Sequence, residues 1–372
     1  MAVDIIQFKI RFITPLLIHG ANSREADSIG LTGKALRGCW RFWFRAMVGG
    51  QLLDINDEPL AELENKLLGL SNEKLARQQR LTQILQFFES KIFGSSDEKF
   101  GAKFRLVITP PESLKPNDKI YPGFNRKLNS GEMFRFKGFS EGCEFIIRIL
   151  TRENMNSHEI NILLSSIWLW ANLGGIGQRA RRGFGSAVID SISGTDAYIK
   201  PDLFVTPQFS ESDQIKDYLC NGLSRIWMVF EQWLKDNGCR VVGDIATNPE
   251  PKDSSFFILN SLSQIAIGGK PYYGKLDDAV KAVHGKNECT SLGWANGGRM
   301  ASPVITRFHK VSQRNHDSLV PVVTWCHQKL GSKSIPHADC LKAYLKNGIC
   351  NCGKNFSTSY CNVSSRLSGD AI

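Results

Sequence analysis

The chain has 372 residues, 42% of them apolar and 22% charged, and a formal net charge of +10. That length suits two domains with a core each, and that apolar share excludes a disordered chain. The excess of cations points to a polyanionic partner, and the absence of any run of eighteen apolar residues excludes a helical membrane span.

The N-terminus "MAVDIIQFKIRFITPLLIHG" lacks the basic and apolar regions of a secretory leader. Its alternation instead predicts a strand, broken by Pro15 and Gly20. Thr32 then caps a helix over about 34–48 that stops at Gly49-Gly50. Residues 54–93 read as helical and 102–109 as a strand stopped by Pro110-Pro111. Residues 131–151 read as two strands joined through a glycine turn. Apolar residues at Ile160, Leu163, Leu164, Ile167, Trp168 and Ala171 predict a helix over 157–173, with Ser157 as its N-cap. A closing strand follows at 184–192.

This order is that of a split β-α-β unit with insertions. The expected fold class is therefore α+β: two ferredoxin-like (RRM-like) domains with inserted helical segments. The first domain covers 1–195 and the second 213–372, with the proline-broken stretch 193–212 as the boundary. The second half opens with a helix over 212–238. It continues through Gly-rich, strand-like pieces to "RMASPVITRFHKV" and "SLVPVVTWC", then a final helix, "HADCLKAYLKNG". The last twenty or so residues, rich in Ser, Asn and Cys, are expected to be poorly ordered.

The stretch "LGGIGQRARRGFGS" (173–186) contains "GIGQRA", which fits a dinucleotide-binding pattern. Such a loop must follow a strand and open a helix, whereas this one follows a helix and precedes a strand, so that reading is rejected. What remains is a backbone able to take positive φ, beside Arg179, Arg181 and Arg182 with no acid between Ile160 and Ile189. Planar, permanently charged guanidinium groups of this kind suit phosphate.

A second basic feature lies in "KALRGCWRFWFRAMV" (34–48). At ~100° per residue, Lys34, Arg37, Arg41 and Arg45 fall within roughly 80° of arc. Trp40 and Trp43 lie on the other side, so the apolar face is expected to dock on a sheet and the basic face to look outward. Like charges at i,i+4 repel, and a polyanion would relieve that repulsion.

Together, "FITPLLIHGA" (12–21), "LTGKALRGCWRFWFRA" (31–46) and "GGIGQRARRGFGS" (174–186) resemble the RAMP superfamily of CRISPR effector proteins. The stretch 299–311 is similar to the Arg-x-Ala-Ser-Pro segment of the first subunits of type III-B (Cmr) complexes. The resemblance implies a cytoplasmic ribonucleoprotein subunit in antiviral defence. It would hold guide RNA near its 3′ end and admit target RNA, with other Cmr-type subunits as partners and no membrane. It places RNA contact on Lys34, Arg37, Arg41 and Arg45, and on the loop residues Gly175, Gly177, Gln178, Arg179, Arg181, Arg182, Gly183 and Gly185. Arg299, Arg307 and Lys310 are further candidates.

Some relatives in that superfamily process CRISPR RNA with a histidine near the end of the first strand. His19 occupies such a place, so a metal-independent endoribonuclease is the alternative reading. No Walker A loop, metalloprotease helix or nucleophile elbow occurs, and no cofactor is expected. His337 with Cys340, Cys350, Cys352 and Cys361 lacks the knuckle spacing of a zinc site. These cysteines are read as free thiols, in line with ten scattered cysteines and a reducing compartment.

Overall fold

A computed structural model of the chain describes residues 5–19, 26, 30–55, 57–69, 76–95, 100–119, 131, 136–194, 203–239, 257–260, 263–270, 272–284, 302–313, 316–326, 328–330, 333–335, 340–342, 344–345 and 358–362. Its fold is α+β with antiparallel sheets.

The first part runs β1 (Ile5–Phe12), α1 (Gly33–Leu53), α2 (Asp57–Leu68), α3 (Arg77–Phe93) and β2 (Phe104–Thr109). Then come β3 (Asn117–Lys119), β4 (Phe136–Gly138), β5 (Glu144–Thr151), α4 (Ser157–Leu173) and β6 (Ala187–Ser193). The sheet is ordered β2-β5-β1-β6, with β1 antiparallel to both neighbours. Ile6, Phe8, Ile10 and Phe12 on alternate positions of β1 are buried, which is the period-2 pattern read from the sequence. Setting aside α2, α3 and the small β3–β4 ribbon, the order is β-α-β-β-α-β.

The second part starts with α5 (Ser212–Asp236), followed by β7 (Ser263–Gly268), α6 (Leu276–His284), β8 (Ile305–Gln313) and β9 (His316–Cys326). A small ribbon, β10 (Gln328–Leu330) with β11 (Lys333–Ile335), precedes β12 (Thr358–Asn362). The sheet order is β12-β7-β9-β8. Ranked by chain order within each sheet, β6-β1-β5-β2 and β12-β7-β9-β8 both read fourth, first, third, second, so the two sheets share strand order as well as antiparallel pairing. The helix α4 is apolar almost all round, as a helix enclosed on every side must be. It packs on α1, α5 and β6 and also touches β8 and β9, so the main apolar cluster is continuous through both parts.

Several local expectations shift. Asn156, not Ser157, caps α4, because its side chain and that of Glu159 satisfy each other's backbone N–H groups in a capping box. The helix α1 continues through Gly49-Gly50 to Leu53. The reason is a close approach: a Cβ on Gly50 would lie 1.8 Å from the Leu259 carbonyl oxygen, while Leu259 N–H donates to Ala46 O at 2.8 Å. The tail expected to be poorly ordered supplies β12, which pairs with β7. Cys39, Cys143, Cys239 and Cys326 are in no disulfide, but Cys220 and Cys340 are disulfide-bonded. Sequence spacing does not show which thiols a fold brings within bonding range, so the free-thiol expectation fails for these two.

The seam between the two sheets holds a buried polar group. Arg307 on β8 is 0% exposed and donates to Ala187 O and, at 2.9 Å, to His309 Nε2. Arg307 Nε and His309 Nδ1 are buried without a hydrogen-bond partner among the described residues. Burial, then the neighbouring guanidinium, holds the His309 pKa well below 6.5. An unfolded imidazole takes up a proton as pH falls through 6.5 and the folded one does not, so stability drops on the acid side. Unfolding free energy from His309 is expected to be about 1.4 kcal/mol lower at pH 5.5 than at pH 7.5. Urea titrations of His309→Gln at both pH values check this, since the variant should lose that difference.

Candidate nucleic-acid interface

The glycine–arginine loop is built around the turn that ends β1. Thr14, wholly buried, donates from Oγ1 to Gly183 O at 2.7 Å and accepts from Ser186 N–H at 2.9 Å. Gly185 N–H donates to Pro15 O at 2.9 Å, and Gln178 N–H to Leu17 O at 2.7 Å. The Thr-Pro-Leu turn and the loop therefore form one backbone-to-backbone unit. The glycines serve this closeness: Gly185 has φ +61°, and a Cβ there would fall 2.0 Å from Ile176 O. Arg179 has φ +61° without being a glycine, a strained state that marks a shaped turn. The turn is closed by Arg182 N–H donating to Arg179 O at 2.8 Å.

The loop's side chains divide. Gly177, Gln178 and Arg179 are exposed. Arg181 and Arg182 are half-buried and turn to the second part of the chain. Arg181 donates to Ser302 O and lies over the Phe42 ring at 5.3 Å; burial lowers its pKa. Arg182 lies over the Tyr344 ring at 5.3 Å and pairs with Thr306 in a parallel bridge. Thr306 N–H donates to Arg181 O, and Phe308 N–H to Ser186 Oγ. Gly175, Gly183 and Gly185 are covered to different degrees, with Gly183 and Gly185 fully buried.

The α1 stripe is less open than its helical wheel suggests. Lys34 and Arg45 are exposed, with Gly38 in the same solvent-facing line. Arg41 and Arg45 both bind Glu89 of α3, a carboxylate buried between them, with Arg45 Nη2 to Oε1 at 2.8 Å. Arg37 lies over the Phe104 ring at 5.3 Å, and burial, then Arg41, lowers its pKa. The face expected to look outward is thus partly covered by α3. The expected apolar face is confirmed: Trp40 and Trp43 are core residues. Loop and stripe meet through Phe42, which carries Arg181 on its ring, and through Cys39 Sγ, 3.8 Å from Gly175 O. The exposed cations of these two elements are Lys34 and Arg45 on α1, the latter paired with Glu89, and Arg179 on the loop, while half-buried Arg181 lies on the Phe42 ring between helix and loop.

The remaining candidates lie elsewhere. Arg307 is fully buried, with its side chain donating to Ala187 O at the start of β6, so it offers nothing to a polyanion. Lys310 pairs with Asp317 at 2.5 Å on the second sheet. Arg299 lies outside the described residues, as do His337, Cys350 and Cys352. His19 is half-buried in a bridge with Ala26, and its Nδ1 has no hydrogen-bond partner among the described residues. Asp27, a conceivable partner for it, lies outside the described residues. Among the described residues no helix is long and apolar enough to cross a membrane, and no group of three metal-ligating side chains gathers.

Residues 9–188 match the family model of the RAMP superfamily. This stretch belongs to that superfamily. The RAMP region takes in all of β1, α1 and the glycine–arginine loop except the first four residues of β1. Among curated proteins, the chain is similar to CRISPR system Cmr subunit Cmr1-2 of Pyrococcus furiosus, 27% identical over 186 residues. That match covers 50% of this chain and 95% of the relative. Subunit Cmr1-1 of the same organism is 25% identical over 213 residues, covering 57% of this chain and 55% of the relative. The crystal structure of apo Cmr1 from P. furiosus shares the fold with TM-score 0.53 at 15% identity, covering 96% of this chain and 98% of that one. A chain of type III-B Cmr-beta bound to cognate target RNA does so with TM-score 0.53 at 12% identity, covering 92% and 98%. The fold likeness thus extends beyond the RAMP region into the second part.

Proposed function

We propose that this chain is a non-catalytic RNA-binding subunit of a type III-B CRISPR effector complex. It holds guide RNA near its 3′ end and helps admit target RNA, in the cytoplasm and beside other Cmr-type subunits. The observation that carries the reading is the set of cations on two elements that meet at Phe42, with Lys34 and Arg45 exposed on α1, Arg179 exposed on the loop and Arg181 half-buried between them, on a RAMP scaffold. Arginine and lysine side chains placed this way address phosphate rather than base, which suits a guide whose sequence varies. The RAMP region and the names of the curated relatives support the placement in a Cmr complex.

The test is a titration of fluorescent single-stranded RNA across a salt series, with the RNA inspected for cleavage. Removing one cation that neutralises a phosphate flattens the slope of log K against log salt by about 0.7 on single strands. Lys34→Ala/Arg179→Ala is expected to flatten it by about 1.4 and to weaken binding about tenfold at moderate salt. An unchanged slope, or no binding by the wild type, overturns the reading. Cleavage that His19→Ala abolishes would establish the endoribonuclease alternative instead.

A further inference from the structure

The first sheet buries one face on α1 and α4 and leaves the other to solvent. Among the described residues, four large apolar side chains are strongly exposed, and three of them lie on this one face: Ile5 (50%), Val107 (42%) and Ile146 (36%). The register makes Val107 and Ile146 diagonal neighbours, and half-buried Leu150 links Ile5 to them. Val107 stands opposite Arg148, Ile146 lies between Thr109 and Lys9, and Leu150 lies between Arg105 and Ile5. Isolated exposed aliphatics are ordinary, but a cluster on a regular sheet face marks an interaction surface.

The charges on this face are unbalanced. Lys9 is held by Glu144 at 2.8 Å and Arg11 by Asp190 at 2.7 Å. Arg105 and Arg148 have no carboxylate partner among the described residues. The patch is thus aliphatic, with two unanswered guanidinium groups beside it and two carboxylates at its margin. Among the described residues it has no ring on which a base could stack, and Glu144 and Asp190 would face any phosphate laid along β1. Aliphatic contact with arginine at its border is the pattern of a protein–protein site.

We propose that this face docks an acidic protein segment carrying aliphatic side chains, contributed by a neighbouring subunit. Its carboxylates meet Arg105 and Arg148 while its apolar residues cover Val107, Ile146 and Ile5. The inference is independent of the RNA reading, because none of these residues belongs to the basic surface of α1 and the loop.

The test uses the full chain and three probes: a peptide alternating Glu and Val, its Lys–Val counterpart, and single-stranded RNA. Two variants alter the face, Arg105→Glu/Arg148→Glu and Val107→Ser/Ile146→Ser. A third, Lys34→Glu/Arg179→Glu, removes the same charge elsewhere. All the substituted side chains are exposed or half-exposed, and unchanged thermal midpoints confirm the folds. The Glu–Val peptide is expected to bind the wild type, to weaken about tenfold on Arg105→Glu/Arg148→Glu, to weaken also on the serine variant, and to ignore the third. The Lys–Val peptide should not bind. The proposal is overturned if the Glu–Val peptide fails to bind or if the third variant weakens it equally. It is also overturned if RNA is the probe whose binding the face variants abolish, or if the chain proves to pair with itself through this face.

Discussion

Gly185→Val is expected to lower unfolding free energy by roughly 3–5 kcal/mol and to abolish RNA binding by the folded remainder. The left-handed backbone at Gly185 alone costs a side chain about 1–2 kcal/mol, and more for a β-branched one. The new Cβ would also meet the Ile176 carbonyl at 2.0 Å, well inside van der Waals distance. Ile176 cannot retreat without disturbing its own N–H bond to Gly185 O, 3.2 Å, and Gly185 N–H would leave Pro15 O. The turn after β1 and the arginine loop would then separate together. Urea unfolding measures the destabilisation, and the RNA titration shows whether the loop's shape, beyond its charge, is needed. Gly38→Ala provides the contrast. It is an exposed helical position with nothing within 4 Å of a new Cβ, and is expected to stabilise by about 0.5–1 kcal/mol.

Glu89→Ala is expected to lower stability by about 3–5 kcal/mol, since it strands two cations that share one buried carboxylate. Arg41 and Arg45 tie α1 to α3 through Glu89, and Arg37 already lies close enough to Arg41 to feel its charge. Without the acid, three arginines would stand in file on one helix. Glu89→Gln keeps the side-chain volume and separates charge from packing. If α1 contributes to the RNA surface, this variant should bind RNA more tightly per folded molecule, with a salt slope steeper by about 0.7–1.4. Equal affinity would mean that the stripe serves the α1–α3 packing alone.

Much of the first part was legible because local pattern and global fold agree there. The period-2 burial of β1 and the helical spacing of α4 both follow from which side of an element meets the core. What escaped was information from distant parts of the chain. Glu89 lies 44 residues from Arg45, so a search for acids within the helix could not find it. Arg307 sits among polar residues on β8 and reads as a surface cation, but its side chain is buried against Ala187 of β6. In the loop, three arginines looked equivalent, but the Phe42 and Tyr344 rings draw two of them toward the second part. The short helix α6 was missed inside a glycine-rich stretch, and β12 inside a polar tail, because pairing with β7 rather than composition defines it. A signal for Glu89 was present nonetheless, since an acid on the apolar side of an amphipathic helix calls for a buried cation.

The central place of β1 has a kinetic consequence. Arg11 on β1 and its partner Asp190 on β6 are 179 residues apart along the chain. During synthesis β1 therefore waits, on one side, for a strand that emerges far later. At common elongation rates of about 5–20 residues per second, that interval is roughly 10–40 s. Until then Phe8, Ile10 and Phe12 have no complete sheet to enter, and the nascent chain carries an unsatisfied apolar strand. Closure of the sheet waits for the same segment that carries the arginine loop, so this RAMP region becomes whole and acquires its basic surface in one late event.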